Sequence, residues 1–507
     1  MKKIITTSFV LASILYASPF SDNVQYLNQK IDLLQKEVKI LKKQNEKIKE
    51  LEAKINALTK NAKKSKPTAV NTKNNNNSLK KEIDSLKAQV NDNADYIEEV
   101  DDNVGNLTAK VLKNSKVGFT RLKFDNTLHN FFYRTADGKN HNNKNVDTLN
   151  LKMDLEAIIS PKLTFRGQLA MYKYWSQSTP YPYASYDNMQ GRVPSNSGIY
   201  VTRAYIDWKA IDGKIPTTLT IGRQPSSSGP SWQYSNNGVR YGTYDALVFD
   251  GNADGVVATM NLDKVTPLKN SAFRLAYGKG FQNSNIKAEN GLTDTPVYGM
   301  FLESQIPAVN NSFMQMYYAT ARNINTNTAS IGNIDWFGGM FELNNISNFD
   351  FFAHFSVSKA RPNGNIGEID SQHHTAGLLT NTKGDVETKT GNAYWLGARY
   401  TFKSKAKLGL EYSHGSKNWI NMTQGSDNIL NPRSVRGNVW DIYGIYPIDN
   451  TIGVNAFVKL GATLIDYKYT NSGTPFGKPQ KISSDMQNAD KTIDKLNDYY
   501  LDFQVNY

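Results

Sequence analysis

The chain has 507 residues, a net charge of +13, no cysteine and a mean hydropathy of −0.54. A chain this polar has no room for a bundle of apolar membrane helices, and without cysteine it has neither disulfides nor thiolate metal ligands. Residues 1–116 hold 21 Lys and Arg against 14 Asp and Glu, so over half the excess charge sits in this N-terminal stretch, and nucleic-acid binding is not expected.

Met1–Ser18 has the form of a signal peptide: Lys2 and Lys3, an apolar core from Ile4 to Leu15 too short to span a bilayer, and small Ala17 and Ser18 for cleavage. Residues 19–59 carry a heptad rhythm through Leu27, Ile31, Leu34, Val38, Leu41, Asn45 and Ile48, which shifts phase at Leu51. Residues 79–113 repeat it more cleanly through Leu79, Ile83, Leu86, Val90, Asn93, Ile97, Val100, Val104, Leu107 and Val111. Such a 3.5-residue repeat predicts a left-handed coiled coil, with a lone amphipathic helix as the alternative. Residues 60–78, with Pro67 and Asn74–Asn77, read as a flexible linker.

From about Val117 to Tyr507 the period changes to two. Tyr499, Leu501, Phe503, Val505 and Tyr507 alternate with Tyr500, Asp502, Gln504 and Asn506, and the same pattern marks Leu149–Ala157, Leu163–Leu169 and Val454–Leu464. Connections between such segments are short at Ser160–Lys162, Asp212–Lys214, Asn345–Asn348, Lys403–Ala406 and Ile448–Asn450, and long at 176–199, 359–391, 416–435 and 470–498. Aromatic residues gather at segment ends, as at Trp175, Trp395 and Trp440. Together these predict an all-β transmembrane antiparallel barrel of 16 or 18 strands, behind an α-helical coiled-coil arm. The pattern slips once, between 224 and 300, and the count leans to 18.

The stretches 151–175, 201–230 and 245–262, above all the Ile-Gly-Arg-Gln-Pro-Ser run at 221–226, carry a resemblance. The chain resembles an uncharacterised domain-of-unknown-function family of Gram-negative porin-like outer-membrane proteins with an N-terminal coiled coil. The resemblance implies a barrel in the outer membrane and brings no substrate and no functional residues.

Alternation assigns a set of charged side chains to the barrel interior as pore-lining candidates. The basic ones are Lys152, Arg166, Arg203, Lys209, Arg274, Arg399 and Lys459; the acidic ones are Asp154, Glu156, Asp207, Glu303, Glu342, Glu411 and Asp441. They either set the field that selects solutes or pair with one another across strands, and their balance gives no ion preference. The segment Pro225–Thr243, with Trp232, Tyr234, Arg240 and Tyr241, is either an inward constriction that grips solutes by stacking or, as most such loops are, an ordinary outer loop. Tyr181, Tyr183 and Tyr186 read as loop packing or interface residues before ligand contacts. Asp250–Gly255 starts like a calcium loop but has Asn261 at the twelfth position, so it is expected to be a hairpin turn between strands at Leu247–Phe249 and Val256–Met260. His373 and His374 lack spaced partners for a metal. Residues 484–498 show helical spacing at Met486, Ala489, Ile493 and Leu496, with Ser484 or Asp485 as cap, and are expected to form a short helix near the mouth.

No catalytic triad order, phosphate loop or cofactor motif stands out, so no enzymatic role and no cofactor is expected. The function expected is passive diffusion of small hydrophilic solutes or ions through the outer membrane, with lipid around the barrel and a periplasmic arm that oligomerises. Ile and Val at a with Leu at d favour a dimer, whereas a porin barrel favours a trimer. The alternative is a structural tether whose arm contacts the cell wall.

Overall fold

Period-two alternation over long segments leaves each strand with one apolar and one polar face, and a sheet of such strands is satisfied when it closes around the polar one. A computed structural model describes residues 118–507 apart from 143–144, 176–197, 252, 284–291, 308, 310, 424–426 and 450–453. The signal peptide, both coiled-coil segments, the linker, Tyr181, Tyr183 and Tyr186 lie outside the described residues.

Among the described residues, sixteen long strands form one antiparallel sheet. They are β1 (Gly118–Thr135), β2 (Val146–Ser160), β3 (Leu163–Tyr174), β4 (Tyr200–Ile211), β5 (Thr217–Arg223), β6 (Asp254–Asn261), β7 (Ala272–Phe281) and β8 (Thr295–Ser304). Then follow β9 (Ser312–Asn325), β10 (Ser330–Ile346), β11 (Phe349–Pro362), β12 (Lys389–Thr401), β13 (Lys407–Gly415), β14 (Gly437–Asp449), β15 (Asn455–Tyr467) and β16 (Ile493–Asn506). Each pairs with its sequence neighbours, and β16 also pairs with β1, placing Leu128 opposite Leu501. The sheet is therefore a closed barrel without a free edge.

Side-chain exposure follows the predicted alternation. On β16, Tyr499, Leu501 and Phe503 are exposed while Tyr500, Asp502 and Gln504 are buried. On β11, Phe351 and Phe355 are exposed while His354, Ser356 and Ser358 are buried. Apolar outside and polar inside reverses the arrangement of a water-soluble sheet, and it suits a lipid surround.

Three expectations are corrected. The count is sixteen, because Leu247–Phe249 is no strand: it is a turn in which the amides of Val248 and Phe249 donate to the Asp245 carbonyl. Accordingly Asp250–Gly255 is no hairpin turn; Asp250 lies within a long loop and Asp254 opens β6. Residues 484–498 form no helix. Met486 and Ala489 lie in turns, and Ile493 and Leu496 belong to β16. A register shift against β1 between Arg134 and Thr135 brings both Ile493 and Leu496 to the buried side, so a bulged strand mimics helical spacing.

One end of the barrel has tight connections, such as 161–162 and 347–348, and the other has the long ones, 224–253, 363–388, 416–436 and 468–492. The loop at 326–329 is the short exception on the long-loop end.

Candidate functional site

The loop between β5 and β6 bonds to strands all around the barrel, which only a segment inside a closed sheet can do. Arg203 on β4 donates to the carbonyls of Ser227 (2.8 Å) and Tyr241 (3.0 Å). Ser231 and Gln233 donate to Glu342 on β10, both at 2.8 Å. Arg399 on β12 donates to the Tyr234 carbonyl at 2.9 Å, and Lys459 on β15 to that of Ser235 at 3.2 Å. The tip descends to the tight-turn rim, where Tyr234 donates to Asn344 (2.7 Å) and Asn455 to the Asn237 carbonyl (2.6 Å). Glycine makes the neck possible: a Cβ on Gly229 would lie 1.9 Å from the Tyr244 carbonyl oxygen, so the descending and returning segments touch backbone to backbone.

Why the loop turns inward is visible in its apolar residues. Tyr244, Leu247, Val248 and Phe249 pack with inward-facing Phe301, Tyr317, Trp336, Phe352 and Trp395 of β8–β12 in one buried cluster. The loop between β13 and β14 joins them: the Trp336 indole donates to the Ile420 carbonyl at 2.8 Å, the Asp250 amide to the Met422 carbonyl at 2.8 Å, and the Met422 amide to the Val248 carbonyl at 2.7 Å. His354, fully buried, lies 2.6 Å from Asp245 and 2.8 Å from Ser231, tying the loop to β11. Burial pushes the Tyr244 phenol up to about 12.

Two arginines that sequence reasoning missed hold the second loop. Arg433, in the 3-10 turn Pro432–Ser434, pairs with Glu411 at 2.6 Å and lies 3.9 Å from the Trp395 ring centroid. Glu411 also accepts from Trp395 (3.0 Å) and Tyr443 (3.1 Å). Arg436 donates to the carbonyls of Trp419, Asn471 and Thr474 at 2.7–3.0 Å, joining two long loops; burial lowers its guanidinium to about 9. Neither residue lies in an alternating segment, so nothing in the pattern marked them.

The predicted wall charges mostly pair. Arg166 bonds Glu156 at 2.8 Å and also Asp207; Arg274 bonds Glu303 at 2.6 Å; Arg399 bonds Asp350 at 2.7 Å; Lys152 pairs with Asp427 of a loop. Asp154 accepts from Gln168 at 2.7 Å, and Lys459 stands 3.9 Å from Asp502. Lys209 is exposed, near the tight-turn end of β4. Of the loop candidates, Tyr234 is buried and stacks on Phe352 at 5.1 Å, Trp232 packs 5.4 Å from Trp395, Arg240 lies 4.2 Å over Phe313, and Tyr241 lies 4.3 Å under Arg121. These rings are used in packing. His373 and His374 pair with Glu368 (3.0 Å) and Asp370 (2.7 Å) in an exposed loop. No cluster of three or more potential metal-ligating side chains occurs among the described residues.

On the opposite wall a cavity of about 110 Å³ remains, room for several waters, between the inner faces of β1, β2 and β14–β16 and the two inward loops. Inward rings lie flat against this wall because glycine stands beneath them. A Cβ on Gly461 would meet the Tyr500 ring at 2.4 Å, and one on Gly409 the Tyr443 ring at 2.2 Å. Tyr500 (3.0 Å) and Thr463 (3.2 Å) both donate to Asp441.

Residues 140–507 match a family described as "Protein of unknown function (DUF3373)". The chain belongs to that family. No curated protein is significantly similar to it in sequence. Among solved structures it is similar to the outer membrane channel DcaP of Acinetobacter baumannii, at 12% identity over 77% of this chain and 98% of that one, with a TM-score of 0.43. It is also similar to OprB of Pseudomonas putida (12%, 78% and 96%, TM-score 0.44) and to OmpF of Salmonella typhi in complex with daunomycin (12%, 76% and 98%, TM-score 0.43). At such identity the likeness concerns the fold alone.

Proposed function

We propose that this protein is a porin-like outer-membrane channel for passive diffusion of small hydrophilic solutes or ions, with a periplasmic arm that oligomerises. The observation that carries the reading is a closed barrel whose exposed face is apolar and aromatic while its interior holds charged residues and a polar cavity. Wall charges and the two inward loops set the width and field that a solute meets. Full-length protein in planar bilayers is expected to give stepwise conductance; folded protein that gives none overturns the proposal.

The extent to which the loops fill the lumen favours a second reading, a tether in which the arm contacts the cell wall and the barrel is an anchor. Deleting residues 20–113 separates the two. A channel retains conductance after the deletion; a tether loses cell-wall attachment and shows no conductance in either form.

A further inference from the structure

The lumenal cavity has a chemistry of its own. Six carboxylates line it, those of Asp125, Asp250, Asp427, Asp441, Asp498 and Asp502, against the ammonium groups of Lys123 and Lys459. Three are engaged by lysines: Asp427 pairs with Lys152, Lys123 stands 3.4 Å from Asp125, and Lys459 3.9 Å from Asp502. Carboxylates alone would mark only a negative field. What distinguishes the cavity is that three side chains lining it carry an acceptor oxygen with no hydrogen-bond partner: Oδ1 of Asp498, Oε1 of Gln504 and Oδ1 of Asn150. All three residues are at least nine-tenths buried, with 2%, 1% and 4% of their surface exposed.

Neighbours set the orientation of Asp498 and Gln504. Asp498 binds His129 through its other oxygen at 2.7 Å, which directs Oδ1 away from the ring. Gln504 donates its amide nitrogen to Asp502 at 2.5 Å, which fixes the amide so that its carbonyl oxygen stays free. A buried acceptor without a donor is destabilising, so a set of three is a demand for N–H or O–H groups. Water can meet that demand but does not answer the excess of negative charge. A bare divalent ion fits poorly, since two of the three free acceptors are neutral amides and no metal-ligating cluster forms among the described residues. A primary ammonium or guanidinium group brings several donors and a positive charge together.

We propose that this cavity is a binding subsite for small organic cations carrying ammonium or guanidinium groups, held by Asp498, Gln504 and Asn150. The inference deepens the channel reading and rests on it, since the cavity is where a solute would pause in transit. A transported amine needs only weak binding, and an incompletely compensated negative wall provides it without trapping the solute.

The test uses full-length protein in planar bilayers, with 1,4-diaminobutane and succinate, which differ in charge, as probes. The diamine is expected to reduce conductance saturably and succinate to leave it unchanged. Asp498→Asn removes the charge with little change of shape and should weaken the diamine block by about tenfold; Asn150→Asp adds a charge and should strengthen it. Equal block by both probes, or variants that leave the diamine block unchanged, overturns the subsite and leaves the channel standing. If no conductance appears, the channel reading falls, and calorimetric titration of 1,4-diaminobutane into the detergent-solubilised protein decides the subsite. Saturable binding weakened by Asp498→Asn upholds it; absence of heat beyond dilution, the result if water alone fills the cavity, overturns it.

Discussion

Two stretches of the lumen wall obey one alternation and carry different chemistry. On β8–β12 the inward positions hold Phe301, Tyr317, Trp336, Phe352 and Trp395; on β14–β16 and β1 they include Asp441, Lys459, Thr463, Asp502 and Asp125. The loop from β5 has an apolar segment at 246–249, and that segment lies against the aromatic wall, where dense packing removes rings from water. On the other side a second apolar cluster, with Phe131, Tyr172, Val439 and Ile465, takes Ile429 and Leu430 of the loop after β13, and the polar cavity lies beside it. A barrel can thus hold packed apolar clusters and a polar cavity within one lumen, and the side chains under the loops decide which is which.

The comparison breaks most severely at Arg433. Replacing it with Met leaves Glu411 buried with a full charge, and a cost of about 3–5 kcal/mol is expected, read as a lowered urea midpoint. Pairing Arg433→Met with Glu411→Leu should restore much of that loss, because the lone charge is gone. If Arg433→Met costs no more than a surface substitution, the packed wall is not a core. A smaller effect, about 1–3 kcal/mol, is expected for His354→Ala, which removes the link to Asp245 and Ser231. Loosening the loop there should raise single-channel conductance as well, and unaltered conductance would count against the loop as the constriction.

How much of this was legible in the sequence divides along the same line. Period-two alternation revealed the barrel, since strand parity is a local property. It failed at Leu247–Phe249, where three apolar residues look like a strand yet fill space inside the lumen. It failed again at Ile493 and Leu496, where a bulge gives strand residues helical spacing. The partners of the wall charges were out of reach because they come from loops: Asp427 for Lys152, Arg433 for Glu411, the Ser227 and Tyr241 carbonyls for Arg203. Nor does composition show that His354 and Ser231, 123 positions apart, meet.

Around the polar cavity, substitutions should move conductance at a smaller cost in stability. Thr463→Val deletes one of two hydroxyl donors to Asp441 and leaves Tyr500 in place. A loss of roughly 0.5–1.5 kcal/mol is expected, together with a changed current at fixed voltage. A stability loss as large as that of Arg433→Met would mean the two walls are equally built into the fold.

The smallest effect lies outside the lumen, where β1 turns toward β2. Lys139 at 2.9 Å, then Thr135 at 2.6 Å, hold the Asp137 carboxyl down to about 2. Its unfolded value is about 3.9, so the ionised form is favoured by the folded turn. That contribution is complete above the unfolded value and disappears as pH falls through the folded one. Acidification from about pH 4 to about pH 2 should therefore loosen this turn. Amide exchange at Gly138, whose N–H donates to the Thr135 carbonyl at 2.8 Å, is the local readout. Asp137→Asn should abolish this pH step while leaving conductance unchanged, since the residue touches neither inward loop nor cavity; a step that survives in the variant would assign it to another group.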